Sequence, residues 1–277
     1  MISVIIPAKD PSRGLHAAVA SVHRLLPEAE VIVVDDGSNP PVAEISGALV
    51  LRQANAGPGA ARNAGAAAAT QNWLLFLDAD DELLDGVVVA AEIARAGEVG
   101  MVCGATVIER AGQAIVAVPS PAEDDAERPR LSATAGAFLV HREVFVSAGG
   151  YDEQLRFGEN TDAIARCAAL ARVTAIDAPM VKYNALVDER RYDGRRFAAA
   201  EYILRRDSHL GSRARGRLHG IAAVNASRVR RYRASIAHSW LALKTVPSLQ
   251  AFVRLLVALT GPVGRRWWLR RPRGSAL

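Results

Sequence analysis

The first hundred residues alternate between two hydrophobic rhythms. Short apolar runs at 2–7, 31–34, 48–51 and 73–77 are dense in valine, isoleucine and leucine and read as buried strands. Between them, 14–26, 58–70 and 85–96 place apolar residues at helical spacing. This alternation predicts β-α-β units, right-handed crossovers and a largely parallel sheet.

Near residue 100 the rhythm changes. Residues 101–109 and 113–118 read as an antiparallel hairpin around Ala111-Gly112. Residues 119–130 are proline-rich, charged and aperiodic, which predicts a loop. A strand is expected at 135–140, helices at 142–148 and 162–170, and a last strand at 172–177. From about residue 192 the chain is helical and arginine-rich, with helices expected at 195–210, 213–233, 235–245 and 247–260. The fold class is therefore α/β, a Rossmann-like, mostly parallel mixed sheet flanked by helices over 1–185. A C-terminal helical extension follows over 190–277.

Composition adds limits. A chain of 277 residues, half of them hydrophobic, can bury a full core plus a smaller appendage. Its two cysteines, Cys103 and Cys167, make no disulfide framework and suit a reducing cytosol. The chain opens on an apolar strand without a basic leader, and 251–263 is interrupted by Arg254 and Pro262. Neither a signal peptide nor a membrane-spanning helix is expected, which favours a cytoplasmic location.

Charge divides the chain. Residues 1–189 hold 14 Lys/Arg against 26 Asp/Glu, whereas 190–277 hold 20 against 3. The basic zone is matched in charge to nucleic acid, to anionic lipid or to the acidic first zone. No nucleic-acid-binding motif accompanies it. Trp240, Trp267 and Trp268 lie among Arg228, Arg230, Arg231, Arg233, Arg254, Arg265, Arg266, Arg270 and Arg271. That mixture suits peripheral attachment to an anionic membrane as well as it suits a solvated helical face.

Five local signals carry candidate chemistry. Asp35 and Asp36 end an apolar strand, where ligands bind in open α/β sheets, although an Asx turn uses the same residues. Gly57-Pro58-Gly59 precedes a helix bearing Arg62, a geometry that attracts phosphate or simply starts a helix. Strand 73–77 runs into Asp78-Ala79-Asp80-Asp81, three acids in four residues. Buried unpaired they would be very costly, so they mark a solvated strand end or an oxygen-only site for Mg2+ or Mn2+. Glu159 stands before a helix start that Asn160, Thr161 or Asp162 can cap. The fifth signal is the basic C-terminus itself.

In this order the signals resemble the family 2 glycosyltransferases of the GT-A fold. The resemblance rests on Ser3-Val4-Ile5-Ile6-Pro7-Ala8, Val33-Val34-Asp35-Asp36-Gly37-Ser38, Asn55-Ala56-Gly57 with Ala61-Arg62-Asn63-Ala64-Gly65, Phe76-Leu77-Asp78-Ala79-Asp80-Asp81, Gly149-Gly150-Tyr151-Asp152-Glu153 and Gly158-Glu159. It covers about residues 1–180. It implies a nucleoside-diphosphate-sugar donor, a glycan or lipid-linked acceptor and inversion at the anomeric carbon. Pro7 and Ala8 would line the base pocket, Asp36 with Asp35 would meet the nucleoside, and Arg62 would lie near the diphosphate. Asp78, Ala79 and Asp80 form the Asp-x-Asp element, with Asp80 the more direct ligand of Mn2+ or Mg2+.

Two departures stand out. Where many members carry Glu-Asp, this chain reads Glu159-Asn160-Thr161-Asp162, and an asparagine cannot take a proton. The resemblance then leaves Glu159 as the base, with Asp162 second. After Pro7 the chain has Ala8-Lys9-Asp10 without the usual aromatic, so uracil, guanine and thymine remain open. A sugar nucleotidyltransferase and a non-catalytic nucleotide-sugar-binding protein are the alternatives. Pyrophosphate release would mark the former.

Overall fold

A computed structural model describes residues 1–10, 14–110, 113–119, 134–184, 193–207 and 211–260. The chain divides into two compact units, Met1–Leu186 and Val187–Leu277.

The first unit is built on a nine-stranded mixed sheet. β1 (Ile2–Ala8), β2 (Glu30–Asp36), β3 (Leu49–Gln53) and β4 (Trp73–Phe76) are joined through α1 (Gly14–Leu25) and α2 (Pro58–Ala68). Next come β5 (Glu82–Leu83), α3 (Gly86–Arg95), the hairpin β6 (Met101–Arg110) and β7 (Gln113–Ala117), then β8 (Phe138–His141) and α4 (Arg142–Ser147). α5 (Glu159–Ala168) and β9 (Val173–Asn184) complete the unit. The strand order is β3-β2-β1-β4-β8-β6-β9-β5, with β7 paired to β6. β3-β2-β1-β4 run parallel, as does β6 with β9, while β8 lies antiparallel between β4 and β6.

Both sheet faces are covered, and the strand period of two decides which residues go where. Val4, Ile6, Val31 and Val33 pack with Leu15, Val19 and Val22 of α1 and Val87, Ala90 and Ala94 of α3. Ile5, Ile32, Val34, Leu74 and Phe76 pack on the other face with Ala61 and Ala66 of α2 and Ala163, Ile164 and Cys167 of α5. This is why the strands read as unbroken apolar runs. α2 sits so close to β1 that a Cβ on Gly65 would lie 2.4 Å from Ile5 Cγ2. Cys103 and Cys167 are free and buried, and burial pushes their thiols up to about 12 and 11.

Several boundaries differ from expectation. α5 begins at Glu159 rather than 162 because Gly158, at φ 77°, provides the N-cap in place of the better-capping side chains that follow. β9 continues past 177 to Asn184, because irregular register beside β6 accommodates Pro179. β5 was unforeseen, being two residues that pair only with this extension. The loop expected at 119–130 lies, beyond Pro119, outside the described residues.

The second unit contains α6 (Asp193–Arg206), α7 (Ser212–Arg228), α8 (Tyr232–Thr245) and α9 (Leu249–Leu259). The break expected at 234 falls earlier, between Arg228 and Tyr232, because Arg230 adopts φ 64° there. Phe197, Ala200, Ala222 and Ala226 form its core. Beside them His219 Nδ1 lies 2.9 Å from His238 Nδ1, and His238 Nε2 lies 3.5 Å from Glu201 Oε1.

Candidate active site

Parallel strands bring their C-terminal ends to one edge, where loops can build a site. Pro7 and Ala8 end β1, with Ala8 beside Asp35 of β2. Leu77 N donates to Ile5 O, so Asp78 leaves β4 at the same edge.

Asp35 and Asp36 are both buried, and their acceptors are largely engaged. Asp35 Oδ1 accepts from Ser38 N at 2.8 Å, and Oδ2 accepts from Val42 N at 3.2 Å and Arg52 Nη1 at 3.3 Å. Asp36 Oδ1 accepts from Gln53 Nε2 and Ala56 N, and Oδ2 from Gly57 N at 2.8 Å. Asp35 is 1% exposed, and its hydrogen bonds shape the turn after β2. Asp36 ties that strand to the loop opening α2. Lys9 Nζ donates to Gly37 O and Asp10 N to Ser38 Oγ, so the departing Ala8-Lys9-Asp10 segment is stitched to the same turn.

The centre of the site is Arg62, 2% exposed on the first turns of α2. Its Nη2 donates to Asp78 Oδ1 at 2.6 Å and its Nη1 to Glu159 Oε1 at 3.3 Å. Its guanidinium lies 5.1 Å over the Tyr151 ring. Burial opposes the arginine's charge, yet Asp78, Tyr151 and Glu159 hold it more firmly protonated than usual. Two acids and a ring thus engage both terminal nitrogens and one face of Arg62, while its Nε is buried without a partner among the described residues. Asn63, the next residue, donates to Tyr151 O and accepts from Tyr151 N. The Tyr151 hydroxyl donates to Asn160 Oδ1 at 3.0 Å, and burial raises that phenol's pKa.

Glu159 stands at the N-terminus of α5, with Oε2 unpartnered among the described residues. Asp162, the second candidate base, lies in the first turn of α5. It is buried, and Arg166 Nε and Nη2 hold its Oδ2 at 2.9 and 2.8 Å.

The acidic turn carries excess negative charge. Burial and the neighbouring Asp78 raise the Asp80 carboxyl above its ordinary pKa. Burial, then Asp78, pushes Asp81 up to about 8. Asp81 Oδ1 accepts from Asn184 N, its Oδ2 is buried without a partner, and Asn184 Nδ2 donates to Asp80 O at 2.6 Å. Among the described residues no three His, Cys, Asp or Glu form a closed metal cage. Mg2+ and Mn2+ do not need one, since they take one or two carboxylates and complete their shell with water and phosphate. The oxygen-only donors, the orphaned Asp81 oxygen and the uncompensated charge fit such an ion, which Asp80 and Asp78 would hold.

Tyr151 and Asn63 lie within the family-like motifs, and only their contacts show that they brace Arg62 and α2. Asn184 had no signal, because it lies on the part of β9 that the sequence hid.

A family model described as glycosyl transferase family 2 matches residues 3–151. The pre-mycofactocin glycosyltransferase of Mycobacterium tuberculosis is 40% identical over 86 residues, 28% of this chain and 17% of that protein. The succinoglycan biosynthesis protein ExoW of Rhizobium meliloti is 39% identical over 93 residues, 29% of this chain and 29% of that protein. The chain thus matches less than a third of the length of these curated relatives. Among solved structures, S. aureus TarS aligns at TM-score 0.59 and 16% identity, covering 95% of this chain and 53% of that one. TarS 1-349 in complex with UDP aligns at 0.57 and 17% identity, covering 96% and 87%. At such identities the likeness is one of fold, and it agrees with the expected GT-A architecture.

Proposed function

Because the chain belongs to glycosyl transferase family 2, we propose that it transfers a sugar from a nucleoside diphosphate to an acceptor hydroxyl with inversion. The observation that carries this reading is the Arg62 bridge. One buried cation draws together Asp78, at the end of β4, and Glu159, eighty-one positions later at the start of α5.

In this reading Arg62 fixes the Glu159 carboxylate through Oε1, and the unpartnered Oε2 receives the acceptor's proton. The deprotonating hydroxyl attacks the anomeric carbon from the face opposite the diphosphate. The bond to the leaving phosphate oxygen breaks through an oxocarbenium-like state, which inverts the centre. A divalent cation held by Asp80 and Asp78 would offset the charge on the departing diphosphate. Asp36 keeps the loop before α2 in place, and Pro7 and Ala8 offer an apolar wall to the base.

TarS has been solved with UDP and with UDP-GlcNAc, so uridine diphosphate sugars are the donors to try first. The name of ExoW supports an envelope or exopolysaccharide glycan, or its lipid-linked precursor, as acceptor. The test is a thermal-shift screen of UDP, GDP and dTDP with and without Mn2+, followed by turnover with the stabilising donor. Free nucleoside diphosphate is the expected product, whereas pyrophosphate would replace this reading with nucleotidyl transfer. Glu159→Gln is expected to keep donor binding and lose about 10^2- to 10^4-fold in kcat. Turnover like wild type in that variant would remove Glu159 from the mechanism.

A further inference from the structure

Helices α8 and α9 carry their polarity inside out. The buried face of α8 consists of Ser235, Ser239 and Ala242, and that of α9 of Ala251 and Ala258. Large apolar side chains are exposed on both helices. On α9, Leu249 is 68% exposed and Leu259 59%, with Phe252 and Leu256 also exposed between them. At 100° per residue these four fall within an arc of about 80°, one continuous stripe along the helix. On α8, Trp240 and Leu241 are exposed, as are Arg233 and Lys244.

A water-facing helix normally buries its large apolar residues and exposes polar ones. Here the fully buried positions are serine and alanine, while several large apolar side chains face outward. We propose that the α9 stripe is the insertion face of an in-plane membrane anchor and that its partner is the surface of an anionic lipid bilayer.

Two further observations select lipid over a second copy of this chain. Residues 190–277 hold 20 Lys/Arg against 3 Asp/Glu, which repels another copy and attracts anionic headgroups. Exposed tryptophan, arginine and lysine on α8 are the side chains that settle at the headgroup level. α9 has eleven residues, about 16 Å at 1.5 Å per residue, against a hydrocarbon core of about 30 Å. No helix among the described residues is long and apolar enough to cross a membrane. The stripe can therefore lie in the interface and cannot span it. Ser248 caps α9 through Ala251 N, so the helix is already formed before it meets lipid. Trp267 and Trp268 lie outside the described residues. The inference is independent of the donor site.

The test is flotation of the full chain with phosphatidylcholine vesicles, with and without phosphatidylglycerol, at low and high salt. Binding that requires phosphatidylglycerol and weakens with salt is expected. Phe252→Gln/Leu256→Gln, which keeps helix propensity, is expected to weaken it at least about tenfold. Its circular dichroism and donor-induced thermal shift should match wild type, which shows the variant folded. Absence of wild-type binding, or equal binding by the folded variant, overturns the proposal. A wild-type dimer in light scattering that the variant abolishes, without vesicle binding, assigns the face to a second copy and overturns it too.

Discussion

Replacing Arg62 with methionine probes the centre of the site while nearly preserving its volume. In the native protein this arginine is 2% exposed and ion-paired to Asp78 and Glu159, whose side chains are 29% and 15% exposed. Removing one partner of a buried pair typically costs 3–5 kcal/mol, because the remaining charge is left uncompensated; partial solvation of both acids places this case near the lower end, at about 3 kcal/mol. The contact with the Tyr151 ring is lost as well. For a unit of this size each kcal/mol lowers Tm by roughly 2–4 °C, so Arg62→Met should melt about 6–12 °C below wild type. A double-mutant cycle with Glu159→Gln in urea identifies the cause. If the penalty is an orphaned carboxylate, removing that carboxylate restores about 1–3 kcal/mol, and the effects are not additive. An arginine that instead served the diphosphate would leave Tm unchanged and raise donor KM. A Tm within about 1 °C of wild type, or strict additivity in the cycle, refutes the bridge as a structural element.

Two further predictions use other parts of the molecule. Gly65→Ala improves intrinsic helix propensity in α2, yet its Cβ would meet Ile5 Cγ2 at 2.4 Å, so overpacking wins and stability falls by about 1–3 kcal/mol in urea denaturation. Burial, with His238 and Arg215, pushes His219 down to about 4, so between pH 6.5 and 4 the unfolded chain binds a proton that the folded ring refuses. Stability contributed by the neutral ring is whole above pH 6.5 and is lost as pH falls through that window, by roughly 3 kcal/mol at most. Thermal melts across it should show a slope that His219→Gln reduces, and an identical slope in that variant would assign the effect to other groups.

Much of the first unit was legible because its signals are local. β1, β2 and β4 of the parallel half are almost wholly buried, so each reads as a near-continuous apolar run. The acids at 35–36 and 78–81 follow strand ends directly, which placed them at one edge without coordinates. Less visible was whatever depended on a distant partner. β5 exists only because β9 runs beside it, and β9 continues past 177 through Pro179, a residue that weakens a strand signal. Asn184 was lost with that extension.

The site residues divide in the same way. The chain order of Asp36, Arg62, Asp78 and Glu159 was enough to suggest a nucleotide-sugar site, since the family motif is written in one dimension. It was not enough to say what each side chain touches. Asp35 accepts from N–H groups of its own turn, and Asp36 from those of the distant loop before α2. Asp162 is paired with Arg166, one helical turn away. By itself the sequence determined the layered α/β architecture, the acidic edge and the basic tail, because periodicity, strand-end acids and charge count are properties of neighbours along the chain. Only the tertiary structure decided that Arg62 serves Asp78 and Glu159, and that α9 turns its leucines outward. Pairing and burial are set by which segments meet in space.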